Sequence, residues 1–199
     1  MKTRLILIRH AESEWNRDGK IQGAADVSSI TDRGATHAKS FGKKLGIKVD
    51  AVYTSPLKRA VQTAEAMFGN SEIEIRTESR LTERNFGQLQ GMSWSGVDEK
   101  WPGAHAHYRK TGELPDANAE PIDAVARRME SILTKITRDN PGKTIVVISH
   151  RTVMRILLKD LLNKKGAGIK SYTELEFGNC EMVELEWNGR ALSVRTKLI

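Results

Sequence analysis

Three short apolar runs punctuate the chain: Leu5-Ile6-Leu7-Ile8, Ala51-Val52-Tyr53 and Ile145-Val146-Val147-Ile148. The first and third do not alternate apolar with polar residues, which is how a strand reads when both of its faces are buried. A segment of helical spacing follows each run, and repeated strand-then-helix order predicts helices layered on a mostly parallel sheet. After the second run, Ser55 offers an N-cap and Pro56 a first helical position ahead of LKRAVQTAEAM. After the third, VMRILLKDLL (Val153 to Leu162) has the apolar content of a buried helix, which Lys164, Lys165 and Gly166 end.

Between these lies the longest helical stripe, Ile122, Val125, Ala126, Met129, Ile132, Leu133 and Ile136, with Pro141-Gly142 turning into the next strand. A weaker pattern predicts a helix over Asp32 to Leu45, opened by Thr31. Near the end, EMVELEW and ALSVRTKL flank Asn188-Gly189, a strong hairpin signal that adds an antiparallel edge to the sheet. Residues 84 to 121 fit neither period. Gly87, Gly91, Gly96, Pro102, Gly103, Gly112 and Pro115 interrupt them, yet Trp94, Trp101 and Tyr108 need cover, so this segment reads as an irregular cap with a short helix around Ser95 to Trp101. The whole is expected to be a three-layer α/β/α sandwich in a single domain, residues 1–199, with the cap inserted at about 84–121.

Composition narrows the function classes more than the fold. With 199 residues, 39% hydrophobic and 29% charged, the chain belongs with ordinary globular proteins. No apolar run approaches the roughly 18 residues of a membrane span, and the N-terminal run is too short for a signal-peptide core, so a cytoplasmic location is expected. The single cysteine, Cys180, reads as an inert thiol in a strand-like run beside Met182 and Val183. A net charge of +7 and a pI near 9.6 favour anionic partners. The basic residues are scattered and lack nucleic-acid motifs, leaving nucleic acid a minor alternative to a small phosphorylated substrate.

Candidate chemistry collects where strands end. Ligands of open α/β sheets bind beyond the carboxyl ends of the strands. His10 lies beyond the first run, Arg59 one turn into the helix after the second, and His150 directly beyond the third. Two histidines with Arg9 and Arg59 would make a strongly positive pocket suited to a phosphoryl group. A neutral imidazole whose one N–H is held by an acceptor keeps a lone pair free to attack phosphorus, the role open to His10. In LTERNFGQLQG, Glu83 beside Phe86 offers an acid for the leaving oxygen. Singly, each residue has a plainer reading as scaffold or surface charge. Adjacent residues of an extended strand also point to opposite faces, so Arg9 and His10 meet one phosphate only if the strand ends or bends there. His105 and His107 lack the carboxylate cluster of a metal site and read as solvated loop residues.

The segments LIRHAESEWN, YTSPLKRAVQTA, LTERNFGQLQG and VVISHRTVMRILL, in that order and spacing, closely resemble the signature blocks of the histidine phosphatase superfamily, the phosphoglycerate mutase-like group. The resemblance implies a phosphoglycerate mutase-like fold and a metal-independent reaction. His10 would carry the phosphoryl group and Glu83 would be proton donor and later base. Arg9, Arg59 and His150 would clamp the phosphate, Asn16 would add a contact, and Gln22 and Gly23 would line the site. Three departures stand out: Ala24 follows Gln22-Gly23 where an aromatic residue is common, VSSIT is one residue longer than the usual stretch there, and Arg151 follows His150 where glycine is usual. Arg151 is either an extra anion contact or a side chain turned away. The short middle segment, and a chain that ends at Ile199 soon after the hairpin, favour phosphomonoester hydrolysis without a cofactor. Phosphoglycerate mutase activity, which would use 2,3-bisphosphoglycerate, and a catalytically silent phospho-ligand binding module are the alternatives. A homodimer stays open.

Overall fold

A computed structural model of the chain describes residues 1–114 and 118–196. Pro115 of the expected cap and the last residues of the ALSVRTKL segment lie outside the described residues. Strands β1 (Thr3–Arg9), β2 (Ala51–Thr54), β3 (Ile75–Thr77), β4 (Thr144–Ser149), β5 (Met182–Trp187) and β6 (Leu192–Thr196) form one sheet in the order β3-β2-β4-β1-β5-β6. The first four run parallel, β5 is antiparallel to β1, and β6 returns antiparallel to β5. In register, Ile8 and Thr54 both sit opposite Ile148. Hence β1, β2 and β4 end level, and the residues that follow them leave the sheet at one edge.

The missing alternation has its physical cause in the layers. Leu5, Leu7, Ile145 and Val147 pack on the side of helices α6 (Ile122–Asp139) and α7 (Arg151–Asn163). Ile6, Ile8, Val146 and Ile148 face helices α2 (Asp32–Lys44) and α3 (Lys58–Phe68). Successive side chains point to opposite faces, and both faces are covered, so every position must be apolar. No described helix is long and apolar enough to cross a membrane.

Local boundaries depart from the sequence reading where a distant residue supplies the cap. α2 begins as expected, with the Thr31 hydroxyl accepting from Gly34 N at 3.0 Å. α3 starts at Lys58 rather than Pro56, and its N-cap Leu57 has no side-chain bond. The carboxylate of Asp26 accepts from Lys58 N at 2.6 Å instead, while Ser55 Oγ accepts only from Leu57 N. Arg59 is therefore the second residue of α3, not one turn in. Cys180 is buried, as expected, but it lies ahead of β5 in a turn, with φ of 62°. Burial pushes its thiol up to about 12.

The cap segment holds two helices where one was expected: α4 (Trp94–Lys100) and α5 (Ala104–Thr111), the first of seven residues. Gly103 and Gly112, which look like interruptions in the sequence, flank α5 in the left-handed conformation that glycine adopts freely. His105 and His107 are helical, and the His105 ring stacks on Trp94 at 4.5 Å. The cap is anchored by the fully buried Arg84, whose guanidinium donates to the carbonyls of Glu120 and Gly112 and to the Tyr172 hydroxyl.

Candidate active site

At the edge where β1, β2 and β4 end, a cavity of about 380 Å³ is lined by eight of the nine residues singled out in the sequence: Arg9, His10, Asn16, Gln22, Gly23, Arg59, Glu83 and Arg151. The ninth, His150, is buried beneath, its ring centroid 5.2 Å from that of His10. Arg9, the last residue of β1, and His10, the first beyond it, both line the cavity.

The nucleophile candidate is held by local backbone. His10 Nδ1 lies 2.7 Å from the carbonyl oxygen of Ala11, which fixes the proton on Nδ1 and leaves the Nε2 lone pair available. Ala11 is itself held, its N–H donating to the buried Thr63 Oγ1 at 3.0 Å, and that hydroxyl donates to the Arg59 carbonyl. Thr63→Val is expected to cost about 1–3 kcal/mol, the price of an unsatisfied buried N–H. It should also slow turnover as His10 loses its fixed acceptor. Chemical denaturation and steady-state kinetics measure the two effects.

Burial, then the charges of Arg59 and Arg9, hold the His10 imidazole well below its ordinary 6.5. Burial and Arg59 do the same to His150. Both rings are neutral when folded, whereas the unfolded chain takes up two protons as pH falls through 6.5. Stability contributed by these groups is complete above 6.5 and declines below it, by about 1.4 kcal/mol per pH unit for each ring. Denaturation midpoints between pH 7 and 5 should therefore fall less steeply in His150→Gln than in the parent.

The cationic groups are anchored but not used up. Arg9 donates from Nη1 to the Phe177 carbonyl at 2.7 Å, and burial together with neighbouring Arg151 brings its guanidinium down to about 9. Arg59, fully buried, donates to the carbonyls of Ala25 and Gly23 at 2.8 and 2.7 Å, pinning the Gln22–Asp26 loop against α3. Gly23 is required there, since its φ is 52° and a Cβ would sit 2.3 Å from Gln90 Oε1. Among the described residues, six buried side-chain nitrogen or oxygen atoms lack a hydrogen-bond partner within the protein. Five belong to this site: Arg9 Nε, Gln22 Oε1, Arg59 Nε and both ring nitrogens of His150. Buried polar atoms are normally satisfied, so such a concentration makes this cavity the candidate site for a polar ligand.

Glu83 lies at the α7 N-terminus. Its Oε2 accepts from Thr152 N at 3.0 Å and its Oε1 from Val153 N and Arg84 N at 3.1 and 2.8 Å. His150, the N-cap residue of α7, offers no side-chain bond, so the Glu83 carboxylate takes that place. Asn16 Oδ1 accepts from Ser13 N, Ser13 Oγ and Asn179 Nδ2, which orients the amide and leaves its own Nδ2 as the free donor. Asn179, missed in the sequence reading, also donates to the His10 carbonyl at 3.0 Å and lines the cavity. Its only signal is the Gly178-Asn179 turn pair. Trp15, Lys20 and Trp94 also stand at the cavity wall, Trp94 being one of the cap aromatics that needed cover. Among the described residues, no group of three or more His, Cys, Asp or Glu side chains is placed to hold a metal ion.

The chain has relatives among known proteins. The chain is 34% identical over 164 residues to phosphoserine phosphatase 1 of Hydrogenobacter thermophilus, covering 80% of this chain and 76% of that one. It is 30% identical over 190 residues to a 2,3-bisphosphoglycerate-dependent phosphoglycerate mutase of Mesorhizobium japonicum, covering 89% of each. Bacillus stearothermophilus YhfR superposes with a TM-score of 0.88 at 25% identity, over 98% of this chain and 96% of that one. A phosphoserine phosphatase from Entamoeba histolytica, solved with 3-phosphoglyceric acid, gives 0.82 at 27% identity, with the same coverage of 98% and 96%. The model of the histidine phosphatase superfamily (branch 1) matches residues 5–197, and the chain belongs to that superfamily.

Proposed function

We propose that this protein hydrolyses phosphomonoesters through a phosphohistidine on His10. The observation that carries the reading is His10 itself, held neutral with its proton on Nδ1 toward the Ala11 carbonyl, in a cavity walled by arginines. Nε2 attacks phosphorus and the bond to the leaving oxygen breaks as Glu83 gives that oxygen a proton. Water then attacks the phosphohistidine, Glu83 takes the water's proton, the P–N bond breaks and inorganic phosphate leaves. Arg9, Arg59 and His150 offer spare donors to the equatorial oxygens, where charge grows in the transition state. Asn16, through its free Nδ2, adds a contact; Gln22 and Gly23 form the wall. Residues 1–199 act as one domain, with 84–121 as the cap over the cavity.

Transfer to a second hydroxyl instead of water is the second reading, favoured by the identity shared with the mutase. One experiment separates them: incubation with 3-phosphoglycerate, with and without 2,3-bisphosphoglycerate, scoring free phosphate against 2-phosphoglycerate. Free phosphate is expected under both conditions, and it should persist in EDTA because charge is stabilised by side chains. Isomer formation without phosphate release would establish the mutase instead.

A further inference from the structure

The sixth buried atom without a partner lies just beyond the phosphate cavity. It is Nε of Arg155, one turn along α7 from Arg151. We propose that Arg155 and Arg151 form a second anion subsite, and that these two residues set the preference for an anionic group on the alcohol side of the phosphomonoester. The proposal rests on the phosphatase reading above and deepens it.

A separate cavity of about 310 Å³ is lined by Arg155 and shares two residues, Arg151 and Trp94, with the phosphate cavity. Arg151 and Trp94 border both cavities, so the second lies directly beside the phosphate cavity. Trp94 stacks with both His105 and Tyr108, at centroid distances of 4.5 and 4.6 Å. Arg155 is only 6% exposed, yet its one carboxylate partner is Glu176, at 2.6 Å from Nη2, whose side chain is 78% exposed. A buried guanidinium paired with a solvated carboxylate retains attraction for a second anion. Arg151 is exposed and makes no ion pair among the described residues, and Arg109 adds a further cation to the lining. Arg9 and Arg155 both feel the repulsion of Arg151. Such a row of like charges is relieved by an anion at each end. A group accepting from Arg155 Nε and the Arg151 fork would satisfy the donor left over in the fold.

The test compares glycerol 3-phosphate, 3-phosphoglycerate and glycerol 1,3-bisphosphate, which differ in the end remote from one phosphate: neutral, carboxylate or second phosphate. Affinities are measured by calorimetry in the His10→Ala background, where nothing turns over, and kcat/KM with His10 intact. At least one doubly anionic ligand is expected to bind about tenfold or more tightly than glycerol 3-phosphate, as charge-assisted hydrogen bonds imply. The better of the two identifies the second group. Arg155→Gln should reduce that preference to about twofold, Arg151→Gly should reduce it in part, and Glu176→Gln, by removing the competing carboxylate, should increase it. A merely structural Arg155–Glu176 pair predicts that both partners' variants weaken all ligands alike. Equal affinities in the parent, or equal losses across ligands in Arg155→Gln, would overturn the subsite. Preference without phosphate release would overturn the phosphatase reading while leaving the subsite standing, and release without preference would do the reverse.

Discussion

His10→Ala is expected to lower turnover by about 10⁴-fold or more and to abolish the acid-labile phosphoenzyme, since the group that would form the P–N bond is gone. Rapid acid-free quenching with radiolabelled substrate reads the intermediate, and phosphate release reads the rate. The substitution should not unfold the protein. His10 is a buried neutral ring whose hydrogen bond goes to the carbonyl of the next residue, so removing it frees one acceptor and no charge. Phosphate binding is expected to persist at reduced strength, because Arg9, Arg59 and His150 are anchored through other contacts or by burial. Turnover persisting in His10→Ala, or label carried by another residue, would defeat the mechanism.

Features that depend on neighbours in sequence were readable before the structure. The apolar runs gave the strands, because burial on both faces leaves no polar position to vary. Thr31 opened α2 because its hydroxyl reaches only to Gly34. What escaped is what distant residues supply. Ser55-Pro56 is a sound local start signal, but the cap of α3 comes from Asp26, 32 positions earlier, so the helix begins at Lys58. α5 was hidden for the opposite reason: Gly103 and Gly112 bound it rather than break it, and its Tyr108 stacks with Trp94 at 4.6 Å.

The site follows the same division. The placement of His10, Arg59 and His150 at one edge was legible because β1, β2 and β4 end level. Adjacent Arg9 and His10, which an unbroken alternation would send to opposite faces, both line the cavity where β1 ends. Asn179 was illegible because its contribution is to hold the His10 carbonyl and the Asn16 amide from a loop 169 and 163 positions away. The left-handed Cys180 beside it helps set that loop's course. Arg151, whose direction the sequence does not fix, lines two cavities at once.

Glu83→Gln should slow turnover of an alkyl phosphomonoester by about 10²–10⁴-fold, the usual contribution of a positioned acid or base. The side chain has two roles, and the variant touches both. As the cap of α7, a carboxylate accepts from Thr152 N, Val153 N and Arg84 N with its two oxygens. An amide has only one acceptor oxygen, so an NH₂ group would face an N–H, at a cost of about 1–2 kcal/mol in stability. The two roles separate with p-nitrophenyl phosphate, whose leaving group departs without a proton. If Glu83 is the acid and later the base, formation of the phosphohistidine from this substrate should be nearly as fast in the variant as in the parent. Its hydrolysis, which needs a base for water, should be slow, so phosphoenzyme accumulates and release shows a burst of p-nitrophenol. A Glu83 that served only to cap α7 would shift the helix bearing Arg151 and Thr152 and slow both steps together, with no burst. The absence of a burst alongside an intact fold would therefore remove Glu83 from the chemistry and return it to the scaffold.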